Sequence, residues 1–135
     1  MKEYLRCLLA HQDAARVAAG RPPAGPIRLR GAETLLASLL SAGLSELQSI
    51  DAELVLTTYV VGFALEQQAA AASSAPASSP DQSFIDAYPT LSRLADRVGP
   101  GSTAGRFEGG LNLVLDGIAA QAEASGRRRR KRARL

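Results

Sequence analysis

The chain has 135 residues, of which 46% are apolar and 21% are charged, and these values fit one soluble globular domain. Its single cysteine, Cys7, excludes a disulfide within the chain and fits a reducing cytoplasm. We expect this thiol to be buried as a small hydrophobe. The longest apolar stretch, between Glu53 and Glu66, is shorter than the roughly 20 residues of a membrane span. The sequence therefore predicts a cytoplasmic protein without a membrane segment.

The net charge of +3 hides an asymmetry along the chain. Seven of the 16 basic residues lie between Arg127 and Arg134, so residues 1–126 hold 9 basic and 13 acidic groups, a net charge of −4. Such an acidic body offers no basic face for a DNA backbone. Residues 127–135 are predicted to form a disordered basic tail. This tail either binds nucleic acid weakly, without reading its sequence, or is a solvated terminus with no partner.

The first predicted helix covers residues 3–19, where apolar side chains recur at the three- and four-residue steps of one helical face. Gly20 ends it, and the prolines between residues 22 and 26 make a stiff connector. A second helix is predicted over residues 27–42, with Gly43 in the left-handed position after its last turn. The predicted inner faces are Leu5, Leu8, Leu9, Gln12, Ala15 and Ala19 on the first helix, and Ala32, Leu35, Leu36, Leu39 and Leu40 on the second.

The longest predicted helix covers residues 46–72. Ser45 and Gln48 have the spacing of a capping box, in which each side chain accepts a hydrogen bond from the other residue's backbone N–H. The second half of this helix, residues 54–65, is apolar around most of its circumference, so it needs cover on more than one side. In a domain of this size, a second subunit is the natural cover.

Residues 73–83 are rich in Ser, Ala and Pro, and this composition predicts a flexible loop. Ser83 is expected to cap a short stretch, and Pro89 begins a helix that runs to Val98. The last helix is predicted over residues 103–124. Its predicted inner face consists of Phe107, Gly110, Leu111, Val114, Ile118 and Ala122.

Three glycines weaken the last predicted helix. Gly109, Gly110 and Gly117 each cost roughly 1 kcal/mol relative to alanine, which indicates that another backbone approaches closely; a frayed or kinked helix is the alternative. Gly126 marks the point where this helix gives way to the basic tail. No strand pattern occurs in the sequence, so the predicted fold class is all-α, with about five helices.

The inventory of reactive side chains is poor. His11 is the only histidine, so a Ser-His-acid triad would depend on it, and a zinc site would need several carboxylates. The segment Gly99-Pro100-Gly101 lacks the third glycine of a nucleotide-binding loop. We therefore predict a protein that is not an enzyme and has no metal site and no cofactor.

Four segments, in order along the chain, resemble the C-terminal domain of the tetracycline-repressor family. Residues 14–22 (AARVAAGRP) resemble the connector that leads into the drug pocket, and residues 43–45 (GLS) resemble a helix start. Residues 61–68 (VGFALEQQ) and 107–111 (FEGGL), the latter followed by Gly117, resemble the two long C-terminal helices. The resemblance spans about residues 4–124 and implies an effector-binding and dimerisation domain over residues 1–126.

The resemblance also implies a homodimer. In this family the two long helices, here residues 46–72 and 103–124, pair with their copies in a four-helix bundle. The first of these helices is apolar around most of its circumference over residues 54–65, and the second contains Gly109, Gly110 and Gly117. The predicted interface residues are Leu54, Val61, Leu65, Phe107, Gly110, Leu111, Val114 and Ile118.

The resemblance also implies a pocket for a small effector, which we predict between the second and third helices. Ala18 and Thr58 stand where the tetracycline repressors hold a magnesium–drug chelate through histidines, and Leu35 stands where the family often has a polar contact. The predicted effector is therefore a small apolar or amphipathic molecule. The predicted lining is Arg21, Pro22, Leu35, Thr58, Tyr59 and Glu66, with ordinary packing as the alternative for Thr58 and Tyr59.

The family's N-terminal helix-turn-helix has no counterpart in residues 1–135, so we expect either a fragment or a natural stand-alone form. The predicted function is that of an effector-sensing, dimerising domain in a repressor, which regulates transcription negatively through small-molecule-controlled DNA binding. Two alternatives stay open. One is a headless partner that inactivates a full-length relative by forming mixed dimers. The other is a degenerate gene product with no ligand.

Overall fold

In the computed structural model, the described residues are 1–20, 25–73, 87–98 and 103–132, with the backbone alone described for 95–98 and 129–132. Within these ranges the chain forms six helices and no strand, which confirms the all-α prediction. The helices are α1 (Lys2–Leu9), α2 (Ala14–Ala18), α3 (Pro26–Ser41), α4 (Glu46–Ala72), α5 (Pro89–Val98) and α6 (Thr103–Arg132).

The first predicted helix is in fact two helices, because residues 10–13 form a turn between α1 and α2. Asp13 adopts a left-handed conformation with φ of 61°, which Asp tolerates better than most residues. The Gln68 amide nitrogen donates to the Leu8 and His11 carbonyl oxygens, each at 3.0 Å. These bonds tie α4 to the break between α1 and α2, where the His11 carbonyl also accepts the Ala14 N–H at 3.2 Å. Of the predicted stripe, Leu5, Leu8 and Ala15 are buried, whereas Leu9 and Gln12 are exposed.

The junction between α3 and α4 agrees with its sequence signals. Gly43 has a φ of 97°, the left-handed conformation predicted at the end of α3. The Gln48 N–H donates to Ser45 Oγ at 3.3 Å, and the Ser45 N–H donates to Gln48 Oε1 at 3.0 Å. The predicted capping box is therefore confirmed, and it explains why α4 begins at Glu46.

Helix α4 is the central element and packs against α1, α2, α3 and α6. One buried face of α4, with Leu56, Val60 and Ala64, forms the main core. Leu35 packs against this cluster and also against a second, smaller one. The remaining buried members of the main core are Leu5, Leu8, Ala15, Phe107 and Leu111, and the second core consists of Leu39, Leu44 and Ala52.

Helix α6 lies antiparallel to α4 and is longer than predicted. Near its start, Phe107 meets Tyr59, and near its end Ser125 Oγ donates to Gln48 Oε1 at 3.0 Å. The helix continues through Gly126 to Arg132, so both the predicted end near residue 124 and the predicted disorder of residues 127–132 were wrong. Arginine has high helix propensity, and cations are favourable near a helix C-terminus. Residues 133–135 lie outside the described part of the chain.

Several predictions fall outside the described residues, among them the loop over 74–83 with Ser83, and the break at 99–101. The predicted burial of Cys7 was wrong, because this thiol is exposed and free. The helix from Pro89 to Val98 has the predicted bounds. Within the described ranges, no helix combines the length and the apolar character that a membrane crossing requires.

Candidate functional site

The predicted ligand-contacting residues that the structure describes divide between the core and the surface. Leu35 of α3 and Tyr59 of α4 both pack against the main core. Thr58 and Glu66 are exposed. Arg21 and Pro22 lie outside the described residues. Within the described chain, Leu35 and Tyr59 are thus the two predicted contacts placed beside the core.

An aromatic cluster is the most specific feature beside Leu35 and Tyr59. The Tyr59 and Phe107 rings are stacked with centroids 5.4 Å apart, and Phe63 meets Phe107 edge-on at 5.2 Å. The Tyr59 hydroxyl donates to the Phe107 carbonyl oxygen at 3.0 Å. The cluster therefore ties the middle of α4 to the first turns of α6. Sequence reasoning missed Phe63, although its spacing of four residues from Tyr59 places both on one face of α4.

Gly110 allows the tyrosine to lie against α6. A Cβ built on Gly110 would overlap the Tyr59 hydroxyl and would come within 2.8 Å of the ring carbon that carries it. The predicted neighbour was another backbone, whereas the group that lies close to Gly110 is the Tyr59 side chain. At Gly109 and Gly117, a Cβ would meet nothing within 4 Å in the same chain. Those two glycines face open space in a single protomer.

The predicted interface residues divide into two groups. Phe107 and Leu111 are 2% and 6% exposed, so they belong to the core of one protomer and are not available as a surface. Leu54 is 60% exposed and lies on the side of α4 away from the core. The other predicted interface residues are half-buried: Val61, Leu65, Gly110, Val114 and Ile118.

A continuous apolar stripe, which we call the outer face of α4, contains Leu54. Its most exposed members are Leu47 at 69%, Ile50 at 56% and Leu54 at 60%. Beyond Thr57 and Thr58, the half-buried Val61 and Leu65 continue this stripe at its edge, where they also pack against the main core. A helix turns about 100° per residue, so this stripe lies roughly 120° around α4 from the buried line of Leu56, Val60 and Ala64. Helix α4 thus has two apolar faces, of which the described part of the chain covers one.

An ion pair on the surface of α1 shifts the pKa of its carboxylate. Among the groups for which a shift is resolved, the side-chain hydrogen bond and the charge of Arg6 lower the pKa of Glu3. Both residues lie on the surface of α1, where Arg6 Nε donates to Glu3 at 3.0 Å. Over the described ranges, no three His, Cys, Asp or Glu side chains are grouped so that they could hold a metal ion. The arrangement is suited to packing and binding.

Comparison with known proteins identifies the family. The profile described as "Tetracyclin repressor-like, C-terminal domain" matches residues 1–122. The tetracycline repressor protein class C of Escherichia coli is 35% identical, over 85% of this chain and 53% of the relative. The class A repressor from transposon 1721, also of Escherichia coli, is 31% identical, over 87% of this chain and 54% of the relative. The chain therefore spans about half the length of these curated relatives.

A solved structure agrees with this assignment. The Streptomyces coelicolor TetR family protein ActR, in complex with actinorhodin, superposes with a TM-score of 0.73 at 32% identity, over 90% of this chain and 61% of that one. At this identity the likeness extends beyond the fold to the family. The matched proteins are regulators, in agreement with the prediction that the chain is not an enzyme. The central α4, the antiparallel α6 and the profile match over residues 1–122 establish that this chain belongs to the tetracycline-repressor-like C-terminal domain family.

Proposed function

We propose that this chain is the effector-sensing, dimerising half of a transcriptional repressor that acts in the cytoplasm. In such a repressor, the effector controls the DNA binding of a helix-turn-helix domain outside residues 1–135. The observation that carries the proposal is the exposed outer face of α4, in a chain whose family consists of dimeric regulators that bind small-molecule effectors. Negative regulation of transcription is the activity that the names of the curated relatives support.

The outer face of α4 is proposed as the centre of a homodimer interface. Covering apolar surface is favourable by roughly 25 cal/mol per Å², and Leu47, Ile50 and Leu54 are each more than half exposed. On α6, Leu113 is 76% exposed, and Gly117 leaves room beside it. A two-fold axis would place the same surface on both copies. The proposed interface thus keeps Leu54, Val61 and Leu65 and adds Leu113.

A pair of charge substitutions tests this interface. Leu54→Arg would bury an unpaired charge between two copies, which costs several kcal/mol and weakens association by roughly 100-fold or more. Leu29→Arg is the matched control, because Leu29 is 54% exposed on α3 and lies outside the proposed interface. In sedimentation at micromolar concentration, Leu54→Arg should be monomeric and Leu29→Arg dimeric. Equal masses for the two variants would contradict the proposed surface.

The proposed effector is a small apolar or amphipathic molecule that binds between α3 and α4. Leu35 of α3 packs against the main core and would supply an aliphatic contact, and Tyr59 of α4, which packs against the same core and bonds to Phe107 of α6, would supply an aromatic one. A mostly apolar cavity with few polar groups is the usual form of a small-molecule site. The neighbouring protein ActR binds actinorhodin, which makes this compound a suitable first probe.

The effector site can be tested by ligand-induced stabilisation. Actinorhodin at about 100 times its dissociation constant should raise the free energy of unfolding of the wild-type chain by roughly 2.7 kcal/mol. Leu35→Asn should lose most of this increase. Leu36→Asn, which alters another half-buried leucine of α3, should keep it. Equal increases in the two variants would place the site elsewhere.

Magnesium–tetracycline should not bind tightly. The family's chelating histidines are replaced by Ala18, which packs against the main core, and by Thr58, which is exposed. Neither side chain supplies a nitrogen ligand for a divalent cation. Calorimetric titration should show no micromolar binding. Tight binding that a chelator abolishes would contradict this part of the proposal.

A further inference from the structure

The last six residues of α6 are all basic, and we call residues 127–132 the basic extension. We propose that the basic extension binds the phosphate backbone of double-stranded DNA without reading its sequence. The proposal does not rest on the effector function, since it requires only a helix of this charge that projects from the body.

The antiparallel packing of α6 on α4 places the basic extension beyond the start of α4. Tyr59 of α4 donates a hydrogen bond to the Phe107 carbonyl, and eleven positions earlier on α4, Gln48 bonds to both Gln121 and Ser125. Ser125 is thus level with the first turn of α4, which begins at Glu46. Each further residue adds about 1.5 Å, so the basic extension reaches roughly 10 Å past that level. Its helix is not packed along the length of α4.

The basic extension differs in charge from the rest of the protein. Residues 1–126 carry a net charge of −4, whereas residues 127–132 carry +6. Arg127 pairs with Glu123 at 3.4 Å across one turn, with both side chains more than two-thirds exposed. Arg128 is exposed as well. A polyanion would therefore be attracted to this end of α6 and repelled by the body.

The linear charge density favours duplex DNA as the partner. Six charges over six helical residues correspond to roughly one charge per 1.5 Å, close to the one phosphate charge per about 1.7 Å of the duplex axis. A helix that inserts into a membrane interface needs an apolar face, and residues 127–132 contain no apolar side chain. Six successive positions turn through more than one full revolution, so cationic positions surround the axis. Such a helix is suited to the phosphate backbone.

Salt-dependent binding of the whole chain to a random-sequence duplex is the test, read by fluorescence anisotropy at about 50 mM and 200 mM salt. If six phosphates are neutralised, the affinity of the wild type should fall by roughly 1,000-fold between these concentrations. Replacing Arg128, Arg129 and Arg130 by Gln keeps the Glu123–Arg127 pair. This variant should bind more weakly at the lower salt, with a slope of log affinity against log salt that is smaller by about 2.7.

A matched control removes the same number of charges from the body. The replacement of Arg16, Arg30 and Arg93 by Gln changes three exposed arginines on α2, α3 and α5, and it should leave the salt slope unchanged. Equal losses in the two triple variants, or no wild-type binding at the lower salt, would overturn the proposal. Binding to phosphatidylserine vesicles without binding to DNA would also overturn it and would indicate a membrane partner.

Discussion

Substituting Gly110 by alanine adds a methyl group where the Tyr59 side chain lies against α6. The new Cβ would overlap the tyrosine hydroxyl and would lie 2.8 Å from Cζ of the ring. Tyr59 would have to move, and its hydrogen bond to the Phe107 carbonyl, now 3.0 Å, would be strained or lost. The stack of the two rings, with centroids 5.4 Å apart, would also be disturbed.

Opposing energies decide the effect of Gly110→Ala. Overpacking costs about 1–3 kcal/mol, and the lost hydrogen bond costs about 1 kcal/mol. The higher helix propensity of alanine returns about 1 kcal/mol. The free energy of unfolding should therefore decrease by roughly 1–3 kcal/mol. Gly31→Ala is the control, because Gly31 is an exposed helical glycine of α3 with nothing within 4 Å of its built Cβ; this variant should be stabilised by up to about 1 kcal/mol.

Urea unfolding, followed by circular dichroism at one protein concentration, measures both variants. A double-mutant cycle with Tyr59→Phe, which removes the atom nearest to the new methyl, should make Gly110→Ala less costly by about 1 kcal/mol. Equal stability of Gly110→Ala and Gly31→Ala would contradict close packing of Tyr59 on Gly110. Simple addition of the effects of Gly110→Ala and Tyr59→Phe would contradict it as well.

Four further predictions concern single side chains. Ser45→Ala removes the cap of α4 and should lower the free energy of unfolding by about 1 kcal/mol. Ser49→Ala removes a buried hydroxyl that has no hydrogen-bond partner among the described residues, and it should raise the free energy of unfolding by a similar amount. Equal urea midpoints for these two variants would contradict both expectations. Gln68→Glu places a carboxylate against the two carbonyls at the α1–α2 break. It should destabilise the fold at pH 7, and acidification should recover part of the loss. Arg6 lowers the pKa of Glu3. The stability from this pair is therefore present above the ordinary Glu pKa and is lost as the pH falls through the lowered pKa of Glu3. An NMR titration of Glu3 should show the lowered pKa, and Arg6→Gln should abolish this lowering.

Local chemistry explains which elements could be predicted from the sequence. The bounds of α3 and α4 follow from Gly43, which adopts a left-handed conformation, and from the capping box of Ser45 and Gln48. These signals act within a few residues and do not depend on the rest of the fold. The break between α1 and α2 could not be predicted in this way. It depends on Gln68, which lies 57 residues after His11 in the chain.

The charge of the C-terminal residues did not by itself predict where α6 ends. Seven cations in nine residues repel one another, and this repulsion argues for disorder. The high helix propensity of arginine and the pair between Glu123 and Arg127 act in the opposite direction. The structure continues the helix to Arg132, so the local propensity prevails there.

The candidate interface shows the limit of helical periodicity. Spacing identifies residues that share a face, but it does not decide whether the same chain or a second copy covers that face. Leu54 and Leu111 are both leucines on amphipathic helices, yet one is 60% exposed and the other 6%. The difference arises from the register of α6 on α4. That register depends on Gly110 and on the aromatic cluster, whose members are far apart in the sequence.

The proposal that two copies cover the outer face of α4 is tested most directly by the mass of the wild-type chain in solution. One chain has a mass of 14.1 kDa. Sedimentation equilibrium at micromolar concentration should give a mass about twice that value, since Leu47, Ile50 and Leu54 are exposed in a single protomer and their burial favours association. A mass of 14.1 kDa throughout the micromolar range would contradict the account.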